Sequence, residues 1–284
     1  MTPDAYRIHP MTPEDVALAI DWAADEGWNP GMHDAASFRA ADPGGFLVGV
    51  LDGVPVASIS VVRYGVAFGF LGLYIVKPAL RGQGFGWRLW QAGMALLEGR
   101  NVGLDGVVAQ QGNYRKSGFA PAWRNVRYAG VTGIAAPPPA LPIVDVASLP
   151  FARLAAYDAP FFPDDRTAFL RHWVAQPGAI ALAHTGEGGV GGYGVVRPCR
   201  TGWKIGPLFA DSAAIAEALF TALSARLPAD VPLFLDVPEP NAAAVALAQR
   251  HGMTAAFETA RMYTRGAPAL PLARLFGVTT FELG

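Results

Sequence analysis

The chain is 284 residues long, about two domains at roughly 150 residues each. Hydrophobic residues make up 52% of it and charged residues 16%, so it buries a large core and is not intrinsically disordered. Its 22 basic and 23 acidic residues nearly cancel, which excludes the basic footprint that a nucleic-acid-binding protein needs.

The longest uncharged apolar stretch, Tyr64 to Val76, is shorter than the ~20 residues that span a bilayer, so no membrane segment is expected. Met1 to Pro10 has no apolar run, so no signal peptide is expected either. The single cysteine, Cys199, excludes an intrachain disulfide and a Cys-rich zinc site, and the five histidines are scattered. These bounds describe a cytoplasmic protein without a metal.

In chain order, Pro13 to Ala24 carries apolar residues at helical spacing, with Thr12 as N-cap and Asp15 three residues on. Glu26-Gly27-Trp28-Asn29-Pro30-Gly31 reads as a loop, followed by a short helix near Asp34 to Ala40. Phe46 to Leu51 and Val54 to Arg63 flank Asp52-Gly53, a two-residue hairpin turn. Phe68 to Val76 is almost continuously apolar, as in a strand covered on both faces. A helix is predicted from about Gly84 to Leu97, where Trp87 and Trp90 are expected to pack on the sheet or the neighbouring domain, and a strand over Asp105 to Ala109. Thr132 to Leu141, rich in proline, reads as the linker between domains 1–133 and 134–284.

The second half repeats the theme. Helices are predicted near Pro163 to Ala175, Asp211 to Arg226 and Asn241 to Arg250, with a hairpin around Gly186 to Gly192 and strands at Trp203 to Phe209 and Pro232 to Val237. The interval from Tyr74 to Gly118 equals that from Leu208 to Gly252, with the same order of elements inside, so the halves read as a repeat.

Arg81-Gly82-Gln83-Gly84-Phe85-Gly86 is the strongest local signal. Glycines between a buried strand and a helix let backbone N–H groups approach an anion, with Lys77, Arg81 and Arg88 nearby. The loop ends in Gly86-Trp87, so it is neither a Walker A loop nor a dinucleotide fingerprint. Its residues fit the pattern Arg/Gln-x-x-Gly-x-Gly/Ala, and Tyr114 to Phe119 supplies Tyr-x-x-x-Gly-Phe downstream. On these two motifs the stretch from about 5 to 130 resembles the GNAT N-acetyltransferase superfamily.

The resemblance implies an α/β fold: tandem domains, each a mixed, mostly antiparallel sheet flanked by helices. It implies acetyl-CoA as cosubstrate, with the amides of Gly82, Gln83, Gly84, Phe85 and Gly86, together with Arg81, on its pyrophosphate. Leu73, Tyr74, Ile75 and Val76 would bind the pantetheine arm and polarise the thioester carbonyl. Tyr114 would protonate the departing thiolate, a sound task for a phenol near pKa 10. The asparagine the family often carries before that tyrosine is replaced by Val107, leaving Gln110, Gln111 or Asn113 for its contact. Acceptor sites in such proteins involve the early helix-loop-helix region, which points to Glu26 as base and to Trp28, Asn29 and Asp34 as substrate contacts; a turn anchored by a buried Trp is the plainer account of any one of them.

The second half lacks the glycine loop and puts Asp211 where a pyrophosphate would sit, so it is expected to bind no cofactor. Asp158, Arg166, Arg197, Asp236 and Arg261 are expected to form structural ion pairs rather than substrate contacts. The reading is an N-acetyltransferase acting on a small amine. The alternatives are a CoA-binding sensor without turnover and transfer of a longer acyl group, and the oligomeric state is open.

Overall fold

The computed structural model describes residues 6–133 and 141–284; most of the predicted linker lies outside them. The first half contributes strands β1 (Tyr6–Pro10), β2 (Phe46–Leu51), β3 (Val54–Tyr64), β4 (Phe68–Val76), β5 (Asn101–Val107) and β6 (Ala120–Val131). Its helices are α1 (Pro13–Asp25), α2 (Asp34–Ala41), α3 (Phe85–Leu96) and α4 (Gln111–Lys116). The second half follows with β7 (Ile143–Asp145), α5 (Phe151–Asp158), α6 (Thr167–Trp173), β8 (Ile180–Gly186), β9 (Gly189–Pro198), β10 (Trp203–Ala210), α7 (Ala213–Ser224), β11 (Pro232–Pro238), α8 (Ala242–Arg250), β12 (Thr254–Tyr263) and β13 (Leu275–Gly277).

Local chemistry accounts for the predicted elements. Thr12 and Asp15 form the full capping box of α1, each side chain meeting the other's backbone N–H. Asp52 and Gly53 both take positive φ, as the two-residue turn between β2 and β3 requires. Helix α5 escapes the sequence reading.

Each half forms a mixed, mostly antiparallel sheet flanked by helices, and the two join into one 13-stranded sheet. The halves exchange their last long strands. β12 inserts between β5 and β6, while β6 pairs with both β12 and β11. The strand pairing therefore crosses the division at 133/134. On one face α2 packs on α6, and Phe38 lies parallel to Trp173 with centroids 6.2 Å apart in a core shared by both halves.

In both halves two parallel strands begin side by side and then part. β4 and β5 are paired only from Phe68/Asn101 to Leu71/Leu104, and β10 and β11 only from Trp203/Leu233 to Ile205/Leu235. The second opening is filled by the chain itself. β13 pairs with β10 there, the Val278 N–H donates to the Asp236 carbonyl at 2.8 Å, and Asn241 donates to the Leu275 carbonyl at 2.9 Å. The first opening is not filled.

Candidate active site

Where β4 and β5 part, a cavity of about 600 Å³ runs between them. One wall is Leu71 to Val76 of β4, and the other includes Leu104, Asp105 and Val107 of β5. With no neighbour on the β5 side, the backbone groups that alternate β4 residues aim that way face the cavity. The β3–β4 register breaks between Ser58/Ile75 and Ser60/Gly72, and Leu73 inside this bulge takes φ +45°. The Ser58 hydroxyl fixes it by donating to the Leu73 carbonyl at 2.7 Å. Leu73, Tyr74, Ile75 and Val76 all line the cavity.

Beyond β4, Arg81, Gly82, Gly84 and Gly86 form one end of the cavity. Gly82 and Gly84 have φ of +77° and +87°, and a Cβ on either would point into open space, so room remains for a ligand against bare backbone. Gly84 is the N-cap of α3, which leaves the first N–H groups of that helix facing the same place. Gly86 serves packing instead: a Cβ there would meet the Tyr74 hydroxyl and Val76 Cγ2 at 2.8 Å. These glycines, the free helix terminus and the parted strands fit the pyrophosphate and pantetheine of a CoA thioester. Gln83 donates its side-chain amide to the Ala79 carbonyl, and Phe85 turns its ring to Tyr6 at 4.9 Å, so only their backbone is available to an anion.

Tyr114, on α4, lines the opposite wall with its ring on Trp90, centroids 5.7 Å apart. Its hydroxyl makes no hydrogen bond within the described residues. Burial, with Tyr74 adding to it, raises its phenol above the ordinary value of 10.0, so it stays protonated through neutral pH. Tyr74 is likewise pushed up to about 12 by burial. Trp90 is buried as expected, whereas Trp87 is 56% exposed on the rim of the cavity rather than packed into the core.

The early loop departs from the expectation. Trp28 lines the cavity, but Asn29 and Asp34 do not. Asn29 accepts from the Thr201 N–H at 2.8 Å and donates back to the Thr201 carbonyl at 3.0 Å. Asp34 is fully buried, accepting from Arg197 Nε at 2.8 Å and from the Gly31 N–H at 2.7 Å. Both tie the first half to the second, because carboxylate and amide groups in a turn next to another sheet find partners there before they find a substrate. Glu26 lines the cavity, but its carboxylate is held by Arg81 of the glycine loop. Asn113 donates to Gln110 Oε1 at 2.8 Å and is exposed, and it is Gln110 that reaches the cavity wall.

The five residues expected in structural ion pairs all form them, in four buried pairs whose partners the sequence had not named except within Arg166–Asp158: Arg166–Asp158, Arg197–Asp34, Arg127–Asp236 and Arg261–Asp105. Burial opposes charge on Asp236, but the Arg127 guanidinium outweighs it and holds the carboxyl below the usual carboxylate range. Arg127 also donates to the Trp28 carbonyl at 2.6 Å and lies 5.0 Å from the Phe281 ring and 5.6 Å from that of Phe257.

The far wall comes from residues without any local motif. Phe257 and Thr259 of the exchanged strand β12, together with Phe281 and Glu282 near the end of the sequence, close the cavity opposite the glycine loop. Phe257 and Thr259 arrive through the pairing of β12 with β5, and Phe281 and Glu282 through the chain's approach to Gly72, contacts that lie outside any sequence window.

Residues 14–119 match the model of the acetyltransferase (GNAT) family, and residues 154–277 match that of the acetyltransferase (GNAT) domain. With the fold and site above, the chain belongs to the GNAT acyltransferase family and carries a GNAT domain in each half. Along nearly its whole length it is similar to holothin acyltransferase from Pseudoalteromonas sp. (strain SANK 73390), 28% identical over 97% of this chain and 93% of that protein. Among solved structures, a putative acetyltransferase from Pyrococcus horikoshii shares the fold with a TM-score of 0.82 at 24% identity, covering 100% of this chain and 98% of that one. A tandem GNAT protein from the clavulanic acid biosynthesis pathway follows at 0.65 and 14%, covering 93% and 99%. Among the described residues, no cluster of His, Cys, Asp and Glu is placed to hold a metal, and no helix is long and apolar enough to cross a membrane.

Proposed function

We propose that this GNAT acyltransferase moves an acetyl group from acetyl-CoA directly to the nitrogen of a small amine, at one site in the first half. The observation that carries the reading is the unfilled opening between β4 and β5, with open-faced Gly82 and Gly84 at one end and the Tyr114 phenol on its wall. The Gly82 to Gly86 amides and the α3 terminus bind the pyrophosphate. An N–H of the bulge at Leu73 and Tyr74 stabilises negative charge on the thioester oxygen. Tyr114 delivers its proton to the thiolate. A small acceptor is supported by the closure of the far end by Phe257 and Phe281, and a cytoplasmic location by the choice of a CoA thioester as substrate.

The second half contributes walls and binds no cofactor. β13 occupies its opening, and Asp211, at the entrance of α7, is engaged by Tyr157 and Arg274.

Isothermal titration with CoA tests both parts, the expected stoichiometry being one per chain; two would restore a working second domain, and none would remove the CoA reading. Thiol release with acetyl-, propionyl- and hexanoyl-CoA over a panel of amines then identifies the acyl group. Preference for hexanoyl-CoA would replace acetyl by a longer chain, and CoA binding with no thiol release over the whole panel of amines would favour a sensor.

A further inference from the structure

Three carboxylates line the cavity, and two of them are occupied. Glu26 is held by Arg81. Asp105 accepts from Asn125 at 2.7 Å, from Thr259 at 3.3 Å and from Arg261 Nε and Nη2 at 3.1 and 2.7 Å. The third, Glu282, is 4% exposed, and only its Oε2 is engaged, by the Thr280 hydroxyl. Its Oε1 accepts no hydrogen bond among the described residues. A buried carboxylate that keeps an oxygen free and lacks an ion-pair partner opposes stability, and such groups are retained where they serve a site.

Its position is set by backbone contacts. After β13 the chain leaves the second half past Gly206, where a Cβ would meet the Thr279 carbonyl oxygen at 2.6 Å. It then crosses to the first half past Gly72, where a Cβ would meet the Glu282 carbonyl oxygen at 2.0 Å. The Tyr64 hydroxyl holds the next residue by donating to the Leu283 carbonyl at 3.2 Å. Gly72 directly precedes the bulge residue Leu73, so Glu282 stands at the acyl end of the cavity, away from the glycine loop. The rings of Phe281, Phe257 and Trp28 and the side chains of Leu71 and Leu104 line the same cavity.

We propose that Glu282 is the base for acyl transfer and that the acceptor is an amine carried on a flat, apolar body. The fields of Arg127 on β6 and Arg197 on β9, each paired with its own carboxylate, reach Glu282, while Asp105 on β5 shares the cavity and is paired with Arg261. This inference rests on the acyl-CoA reading above. The ammonium gives one proton to Glu282, and its freed lone pair attacks the thioester carbonyl carbon. As the C–N bond forms and the C–S bond breaks, the thiolate leaves with the electron pair and takes the Tyr114 proton. The second nitrogen proton restores the Tyr114 phenol through water, and the Glu282 proton passes to solvent.

The test uses the full chain with acetyl-CoA and three probes: benzylamine, an ammonium at neutral pH; aniline, neutral there; and putrescine, aliphatic and doubly charged. The native chain is expected to acetylate the two aromatic amines in preference to putrescine. Glu282→Gln should lower kcat on benzylamine by about 10²-fold or more, cost aniline far less, and leave the Kd for CoA within about twofold. Glu282→Asp should recover part of the benzylamine rate, and this recovery together with the gap between benzylamine and aniline is what a purely structural role would not predict. Benzylamine turnover within about threefold of native in Glu282→Gln overturns the base. Preference for putrescine, or acetylation of none of the three by a chain that binds CoA, overturns the acceptor class while leaving the CoA site standing. Failure to bind CoA is a failure of the acyl-CoA reading itself.

Discussion

In the proposed transfer Tyr114 is available as an acid because its surroundings keep its phenol protonated. Its ring is wedged against Trp90 and Phe119, and burial holds the proton on an oxygen that still opens to the cavity. Tyr114→Phe keeps that packing and removes the proton, so kcat should fall by about 10²-fold or more with the Kd for CoA nearly unchanged. Thiol-release kinetics beside calorimetry check this, and undiminished turnover would take the tyrosine out of the mechanism. Both motifs were legible in the sequence because each is a contiguous string whose chemistry depends on its own backbone. Asn29 and Asp34 were misread for the opposite reason. Polar residues in a loop look the same in sequence whether they meet a substrate or, as here, Thr201 and Arg197 of the other half.

Among the elements, the segment from β13 to the end of the sequence does most to separate the two halves. Its first part fills the opening of the second half, and its last part lines the cavity of the first. The passage depends on Gly72, because backbone cannot retreat from a Cβ placed 2.0 Å from a carbonyl oxygen. Gly72→Ala should therefore displace Phe281 and Glu282, costing about 1–3 kcal/mol of stability and most of the turnover. The Kd for CoA should change much less, since the glycine loop lies at the other end. Denaturant unfolding and calorimetry on the one variant check both halves of this expectation, and native turnover would mean that the segment does not need that path. The sequence pattern showed a strand over Phe68 to Val76 but neither its bulge nor what lies on Gly72 within it, since a close approach leaves no mark beyond the glycine.

For the molecule as a whole, one sheet and a shared core make stability a property of both halves together. Burial raises the phenols of Tyr6, Tyr64, Tyr74, Tyr114, Tyr157, Tyr193 and Tyr263 and the thiol of Cys199. A raised value means that the folded chain holds protons which the unfolded chain releases, so stability falls as pH rises past the unfolded value. The decline should begin near pH 9 with Cys199 and steepen above about 10 as the tyrosines join. Tm measured from about pH 8 to 11.5 checks it; a flat profile to the upper limit would mean that these groups are not shielded from water.

By itself the sequence determined the class of protein and the repeat, and it singled out the glycine loop and the tyrosine on which the proposed chemistry rests. Hydrophobic periodicity, turn glycines and capping residues act within a few positions of one another, so they survive in the linear order. Only the tertiary structure decided that the halves exchange β6 and β12, that β13 closes one opening while the other stays open, and that Glu282 lines the open one beside Gly72. Those outcomes depend on which strand edges meet and on where a carbonyl passes a bare Cα, contacts between residues far apart in the chain that no local pattern encodes.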